Sequence, residues 1–225
     1  MIYFKNYDIV APGELLSDEG KGGDGTYSEG DKRIFSKYLG MLQVSERGVN
    51  VSPLTGVYEP REGDDIIGQI VEVTSKYWTV DIDAPYYTRL DARDVNFRTE
   101  IDELDRYLNI GDLIYARIFR IYSNRAADVS MRGTKYAKLP SKMITKIDPM
   151  KLPRLIGKEG AMINMIKNET NCEIVIGQNG VVWVDGEEEK KALALSAIKL
   201  VDQEYYNPDL QQKIKELFEH VRRKV

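Results

Sequence analysis

The 225-residue sequence predicts a multi-domain protein, β-rich through residue 138 and α+β from residue 139 onward. Three observations predict it. Short apolar runs, several alternating with period two, fill the first part between Gly- and Pro-containing turns. From Leu155 the apolar residues recur instead at near-helical spacing on either side of a glycine-pinned turn. An Asn-Gly pair between two apolar runs then marks a hairpin, and a long amphipathic stretch follows.

Composition is that of an ordinary globular chain, with 42% apolar residues. No apolar run approaches the roughly 18 residues that span a membrane, and Met1-Ile2-Tyr3-Phe4-Lys5-Asn6 lacks the apolar core of a signal peptide. A cytoplasmic protein is expected. The single cysteine, Cys172, lies in an apolar run and reads as a buried thiol, which argues against a disulfide scaffold or a cysteine zinc site. The net charge of −4 is not the basic excess that nucleic-acid binders usually carry, but its distribution is uneven. Between Ile114 and Lys138 six basic residues face one acid, whereas between Asp91 and Asp112 seven acids face three arginines. Opposed faces of this kind suit RNA on one side and a protein on the other, and plain solvated charge has the same look.

Residues 1–58 read as a small β domain. Tyr7 to Leu16 is an extended segment broken at Pro12-Gly13. Gly20-Lys21-Gly22-Gly23-Asp24-Gly25 superficially suggests a phosphate cradle. It lacks the closing Gly-Lys-Ser/Thr and the flanking strand and helix of a P-loop, so a flexible or tightly turned surface loop is expected. Ile34–Val44 and Gly48–Leu54 follow as short strands.

Residues 59–138 form a second β domain. After the turn Pro60-Arg61-Glu62-Gly63-Asp64-Asp65 come apolar runs at Ile66–Val73, Tyr77–Ile82, Thr88–Leu90, Gly111–Ile121 and Ala127–Met131, with an acidic crossing before the fourth. Five short strands with that insertion match an OB-type barrel. The order Gly63-Asp64, Ile67-Gly68-Gln69-Ile70, Tyr77-Trp78-Thr79-Val80-Asp81-Ile82, Gly111-Asp112 and a closing strand resembles the S-one RNA-binding domain. That resemblance implies base stacking by a strand aromatic and phosphate tracking by basic residues, with Lys76, Tyr77, Arg89, Arg117, Arg120, Arg125 and Arg132 as candidates. Tyr77 and Trp78 are adjacent and point to opposite faces, so Tyr77 is expected outside and Trp78 in the barrel. Taken singly, each arginine is equally a solvated surface residue.

Residues 139–225 change character. Leu139-Pro140 opens a linker into Met143–Pro149, an expected strand. Gly157 and Gly160 then enclose only Lys158 and Glu159, and glycine at both ends lets a sugar-phosphate chain approach without meeting a Cβ. The helix that follows begins at the glycine end, where its free N–H groups favour phosphate. Cys172–Ile176 and Val181–Val184 read as strands joined through Gly177-Gln178-Asn179-Gly180, and Glu187–Tyr206 reads as a long helix. This order resembles a type I KH domain (β-α-α-β-β-α), whose G-x-x-G turn clamps about four nucleotides. The resemblance makes Arg154, Gly157, Lys158 and Gly160 the RNA contacts, with Glu159 a carboxylate beside the phosphate path. A G-x-x-G alone is more often a plain helix corner; its neighbours carry the assignment. A final helix, opened by Asn207-Pro208-Asp209 and apolar at Ile214, Leu217, Phe218 and Val221, ends in Arg222-Arg223-Lys224, which suits the negative end of its dipole.

No catalytic residue, metal or cofactor is expected. His220 is the single histidine and sits among charges, one Cys and one His cannot hold zinc, and no nucleophile elbow appears. Val10–Leu16, Gly25-Thr26-Tyr27, Val51–Tyr58, the barrel motifs and Gly177–Val184 together resemble the RNA-binding cap subunit of the archaeal exosome, the ribosomal-RNA-processing protein four family, essentially end to end. The resemblance implies a non-catalytic subunit, three copies of which sit on a hexameric phosphorolytic RNase ring, alone or mixed with other cap subunits. The N-terminal domain would dock on the ring, with Pro12, Gly13, Leu15, Leu16 and Tyr27 as candidates. The S-one barrels would line the pore with a ring of arginines including Arg117, Arg120 and Arg125. Single-stranded RNA, poly(A)-rich by preference, would be steered inward for 3'-to-5' degradation. A bacterial-type polynucleotide phosphorylase has the order KH then S-one on a catalytic body for which this chain has no room. A free-standing transcription or translation regulator of the Nus type shares the S-one then KH order, but carries two KH domains and a helical N-terminal part.

Overall fold

The computed structural model describes residues 2–30, 32–45, 48–100, 103–140, 143–203 and 209–222, with side chains to 219. The expected helix opening at Asn207-Pro208, the side chains of His220, Val221 and Arg222, and Arg223 and Lys224 of the basic end lie outside what the structure describes. The chain forms two compact units, Met1–Gly56 and Val57–Val225.

The first unit holds two three-stranded antiparallel sheets. Strands β1 (Ile9–Val10), β5 (Gly40–Ser45) and β6 (Gly48–Pro53) form one, in the order β1-β5-β6. Strands β2 (Leu15–Ser17), β3 (Thr26–Glu29) and β4 (Arg33–Ser36) form the other, in the order β2-β4-β3. Val10, Leu16, Ile34, Leu42, Val49 and Val51 make its core. The run expected as one strand from Ile34 to Val44 is two, because the chain turns at Lys37–Leu39, where the Ser36 hydroxyl donates to Tyr38 O at 2.7 Å, and changes sheet. The glycine segment is tightly turned rather than flexible. Gly23 N–H donates to Val49 O, Val51 N–H to Asp24 O and Lys37 N–H to Gly25 O, each at 2.9 Å. A Cβ on Gly25, where φ is +72°, would fall 2.0 Å from Val51 O. These glycines let backbone pack on backbone, and the amides of Gly23, Asp24 and Thr26, which a phosphate would need, already donate to Val49 O, Asn50 Oδ1 and Gly23 O.

The second unit begins with the barrel. Strands β7 (Asp65–Val73), β8 (Tyr77–Asp81), β9 (Thr88–Asp91), β10 (Leu113–Ile121) and β11 (Ala127–Ser130) run in the order β11-β9-β8-β7-β10, and a β10–β11 pairing closes the ring. A further strand, β12 (Ala137–Leu139), pairs with β10 where the sequence reading begins a linker. Trp78 is fully buried and its indole N–H donates to Leu108 O at 3.1 Å. The acidic crossing thus plugs the barrel through Leu104 and Leu108, both buried. Burying one indole removes enough apolar surface for about 4–6 kcal/mol before ordering costs.

The KH part follows as β13 (Ile144–Lys146), α1 (Leu152–Ile156), α2 (Ala161–Thr170), β14 (Glu173–Ile176), β15 (Val181–Asp185), α3 (Glu188–Gln203) and α4 (Leu210–Arg222), with sheet order β13-β15-β14. Met162, Ile163, Ile166 and Thr170 line one face of α2, which ends where Asn171 turns left-handed. Together with Leu155, Ile174, Val184, Ile198 and Phe218 they enclose Cys172, which is buried.

Barrel and KH part are locked together by the Asn-Gly hairpin. Strand β7 runs past the end of β8, which leaves backbone groups of Asp65 and Ile67 without a strand partner. The hairpin supplies them. Gln178 N–H donates to Asp65 O at 2.8 Å and Asp65 N–H to Gln178 Oε1 at 2.7 Å. Buried Asn179 donates to Ile67 O at 2.8 Å and Ile82 O at 2.9 Å, and accepts from Ile67 N–H at 3.3 Å. Ile67, Leu113, Leu139, Val181 and Trp183 close an apolar seam beside it.

Candidate nucleic-acid interface

Strand alternation builds the first part of the site. On β8, Trp78 and Val80 are buried while Tyr77 faces out; on β9, Thr88 and Leu90 are buried while Arg89 faces out. The Arg89 guanidinium lies 5.8 Å from the Tyr77 ring centre and bonds Asp128 at 3.2 and 3.3 Å. Asp128 also accepts the Tyr122 hydroxyl at 2.5 Å. Register places Arg89, Asp128 and Arg120 side by side on β9, β11 and β10, so one strip crosses the strands from Tyr77 to Arg120. Arg120 sits between two rings, 5.8 Å from the centre of Phe119 and 6.0 Å from that of Tyr122.

The structure divides the basic residues that the sequence reading groups together. Arg117 stands opposite Asp65 in the β7–β10 register and donates to it at 2.8 Å. Lys135 and the Tyr136 hydroxyl reach the same carboxylate at 2.6 and 2.7 Å. Partial burial pushes the Asp65 carboxyl up, but the hydrogen bonds from Arg117, Lys135 and Tyr136 outweigh it and hold the pKa at about 2. Arg132 donates to Arg93 O at 2.7 Å and lies 3.3 Å from Asp94. Arg120 and Arg125 have no acidic partner within ion-pair distance among the described residues. Arg125 is exposed at the tip of the β10–β11 hairpin, with φ +66°. Lys76 is exposed in the β7–β8 turn.

In the KH part Gly157 and Gly160 both have positive φ, +73° and +80°, and Lys158 and Glu159 between them are exposed. A Cβ on Gly157 would fall 2.8 Å from the backbone N of Met162, whereas one on Gly160 would meet only the Asn164 side chain, at 3.3 Å. Arg154 is half-buried on α1.

Two family models match this unit: one described as a KH domain over residues 143–190, and one described as RRP4, S1 domain over residues 57–120. The Exosome complex component Rrp4 of Thermoplasma volcanium is 37% identical over 214 residues, 95% of this chain and 91% of that protein. The chain belongs to the Rrp4 family. Its Methanobrevibacter smithii relative of the same name is 40% identical over 216 residues, 96% of this chain and 72% of that protein. A crystal structure carrying the provisional description of exosome complex RNA-binding protein superposes with a TM-score of 0.68 at 31% identity, covering 75% of this chain and 98% of that one.

Within this Rrp4-family chain, the residues expected to dock elsewhere are not all surface residues. Pro12 and Gly13 are exposed in a turn, Leu15 is half-buried, and Tyr27 is exposed with its ring stacked on Phe35 at 5.4 Å. Leu16 is wholly enclosed in the core of the first unit, so it holds β2 in place and offers no docking surface. Sequence reasoning passed over Asp65, Asn179, Phe119 and Tyr122. Two signals were available at Phe119 and Arg120: with Ile114, Ala116 and Ile118 inward, plain alternation turns Phe119 out. Continuing the inward alternation Ile114, Ala116, Ile118 would bury Arg120, so a register shift had to intervene.

Proposed function

We propose that this Rrp4-family chain is a non-catalytic, RNA-binding cap subunit of an exosome. The observation that carries the reading is the match across 95% of the chain, both units included, to proteins named Exosome complex component Rrp4. In this reading the first unit docks on a hexameric phosphorolytic ring, as one of three cap copies, through surface residues such as Pro12, Gly13 and Tyr27. The barrel presents its strip to single-stranded RNA, poly(A)-rich by preference, and the KH turn meets the chain farther out. The acidic net charge fits contacts confined to one face. Steering comes from cations that no carboxylate among the described residues claims, Arg120 and Arg125 together with Lys76 and Lys158, while Arg89 holds Tyr77 and Asp128 in place. Arg117 supports the barrel instead of the RNA path. Among the described residues no helix is long and apolar enough to cross a membrane, and the proposed site of action is the cytoplasm.

The test is size-exclusion chromatography with light scattering of the chain, alone and mixed with the phosphorolytic ring of the same organism, followed by decay of a poly(A) substrate. Co-elution with the ring and faster decay are expected. Elution apart from the ring with RNA binding retained would replace the cap by a free-standing regulator.

A further inference from the structure

The β10–β11 corner carries a feature that phosphate steering does not explain. Between Ile118, paired with Val129, and Arg120, paired with Asp128, the ladder shifts register, and Phe119 is the extra residue. A bulge re-aims a side chain that regular alternation would have placed elsewhere. Here it returns Arg120 to the outer face, where plain alternation after Ile118 already sets Phe119, 40% exposed, with Tyr122, 39% exposed, two residues beyond Arg120. The neighbouring turn holds the bulge in shape. Gly63 N–H donates to Ile118 O at 2.8 Å, Ile118 N–H to Asp64 O at 2.9 Å, and Ile121 N–H to the Glu62 carboxylate at 3.1 Å. The Tyr122 ring is fixed in turn by its hydroxyl on Asp128. Two aromatic faces are thus presented to solvent on a braced backbone, with the Arg120 guanidinium between them.

We propose that Phe119 and Tyr122 form a second base-stacking subsite of the barrel, which takes a nucleobase of single-stranded RNA with Arg120 beside its phosphate. The inference rests on the RNA-binding reading above and adds to it a place and a mode of contact. A nucleobase is the ligand that fits, because it offers a π-face to stack and carries an anion one bond chain away, matching rings interleaved with a cation. The subsite lies at the opposite end of the strip from Tyr77. Three strand spacings, about 14 Å, separate β8 from β10 through β9 and β11, so one strand of RNA crossing the barrel can meet both ends.

The experiment uses the full chain and two probes, an oligoadenylate of about ten nucleotides and the same oligomer made abasic, within the site sizes such barrels bind. Phe119→Ala is expected to weaken oligoadenylate binding about tenfold and to leave abasic binding and the salt slope unchanged. Phe119→Trp, which keeps a π-face, is expected to restore binding, and Phe119→Leu, which keeps the apolar bulk, is not. An unchanged melting temperature shows that each variant is folded. Equal loss on both probes, or no loss on either, overturns the subsite. So does a Phe119→Ala chain that binds RNA normally but no longer co-elutes with the ring, since the rings would then be a protein contact. A wild-type chain that joins the ring yet does not distinguish the two probes overturns the subsite and leaves the cap reading standing.

Discussion

Arg117 and Arg120 stand three residues apart on one strand, and in the sequence they look equivalent. Their surroundings make them opposites. Arg117 has a carboxylate directly across the ladder, and Asp65 shares itself among Arg117, Lys135 and Tyr136 at the end of the barrel where the KH hairpin docks. Arg120 also has a carboxylate across the ladder, but Asp128 is already filled by Arg89 and Tyr122, and the bulge sets Arg120 among rings instead. A cation on a sheet is available to a ligand only when its cross-strand neighbour is absent or spoken for. Phosphate candidates are therefore better chosen from pairings than from local charge density.

The largest expected effect comes from breaking the anchored end. Asp65→Asn keeps the shape of the side chain and removes the charge that Arg117 and Lys135 hold. The Asp65 pKa lies at about 2 in the folded chain, below its unfolded value near 4. Its contribution is therefore complete above pH ~4–5 and disappears as pH falls toward 2. By linkage the difference amounts to ~2 kcal/mol at neutral pH. Chemical denaturation at pH 7 should show the variant less stable by about that amount, and the gap should close by about pH 2. A gap that persists undiminished at that pH would mean that the loss comes from the new amide N–H groups set against the donors Arg117, Lys135 and Tyr136, and not from the missing charge.

A smaller effect separates the two arginines themselves. Arg120→Ala is expected to lower RNA affinity several-fold and to reduce the magnitude of the salt slope by about 0.7, the share of one single-strand phosphate contact. Stability should move by less than about 0.5 kcal/mol, since Arg120 is exposed and holds no ion pair among the described residues. Arg117→Ala is expected to do the reverse, lowering the melting temperature while leaving affinity and salt slope in place. Fluorescence titrations of both variants over a range of salt decide between them. Equal losses of affinity would return Arg117 to the RNA path.

How much of this was legible follows from what kind of signal each feature leaves. Trp78 in and Tyr77 out needs only the alternation of a strand, and the order of elements in the KH part needs only periodicity and a glycine turn. The division of the first unit into two sheets left no such trace, because Gly20 to Gly25 reads as punctuation although its backbone is packed against β6. Asn179 shows the same limit. Asn-Gly announces a hairpin, and nothing local announces that the hairpin's side chain completes another domain's open ladder. Ion pairs such as Asp65 with Arg117 span 52 residues, and only the register of β7 on β10 reveals them.

The smallest effect concerns the KH turn, where the contrast can be sharpened within two adjacent residues. Lys158 has no acidic partner among the described residues, and Glu159 next to it is equally exposed. If a phosphate chain lies against this turn, the two side chains must act on it with opposite sign. Glu159→Gln should raise RNA affinity by about two- to threefold and Lys158→Gln should lower it by a similar factor, each on the order of 0.5 kcal/mol, as expected for solvent-exposed charges. Screening fixes how these differences depend on salt. The Debye length is about 8 Å at physiological ionic strength and about 3 Å at 1 M, so both effects should fade together as salt rises. A steric contribution would persist at high salt, which makes the salt series the deciding measurement. Two variants with the same affinity as the parent at low salt would place the turn away from the RNA and leave the barrel strip as its binding surface.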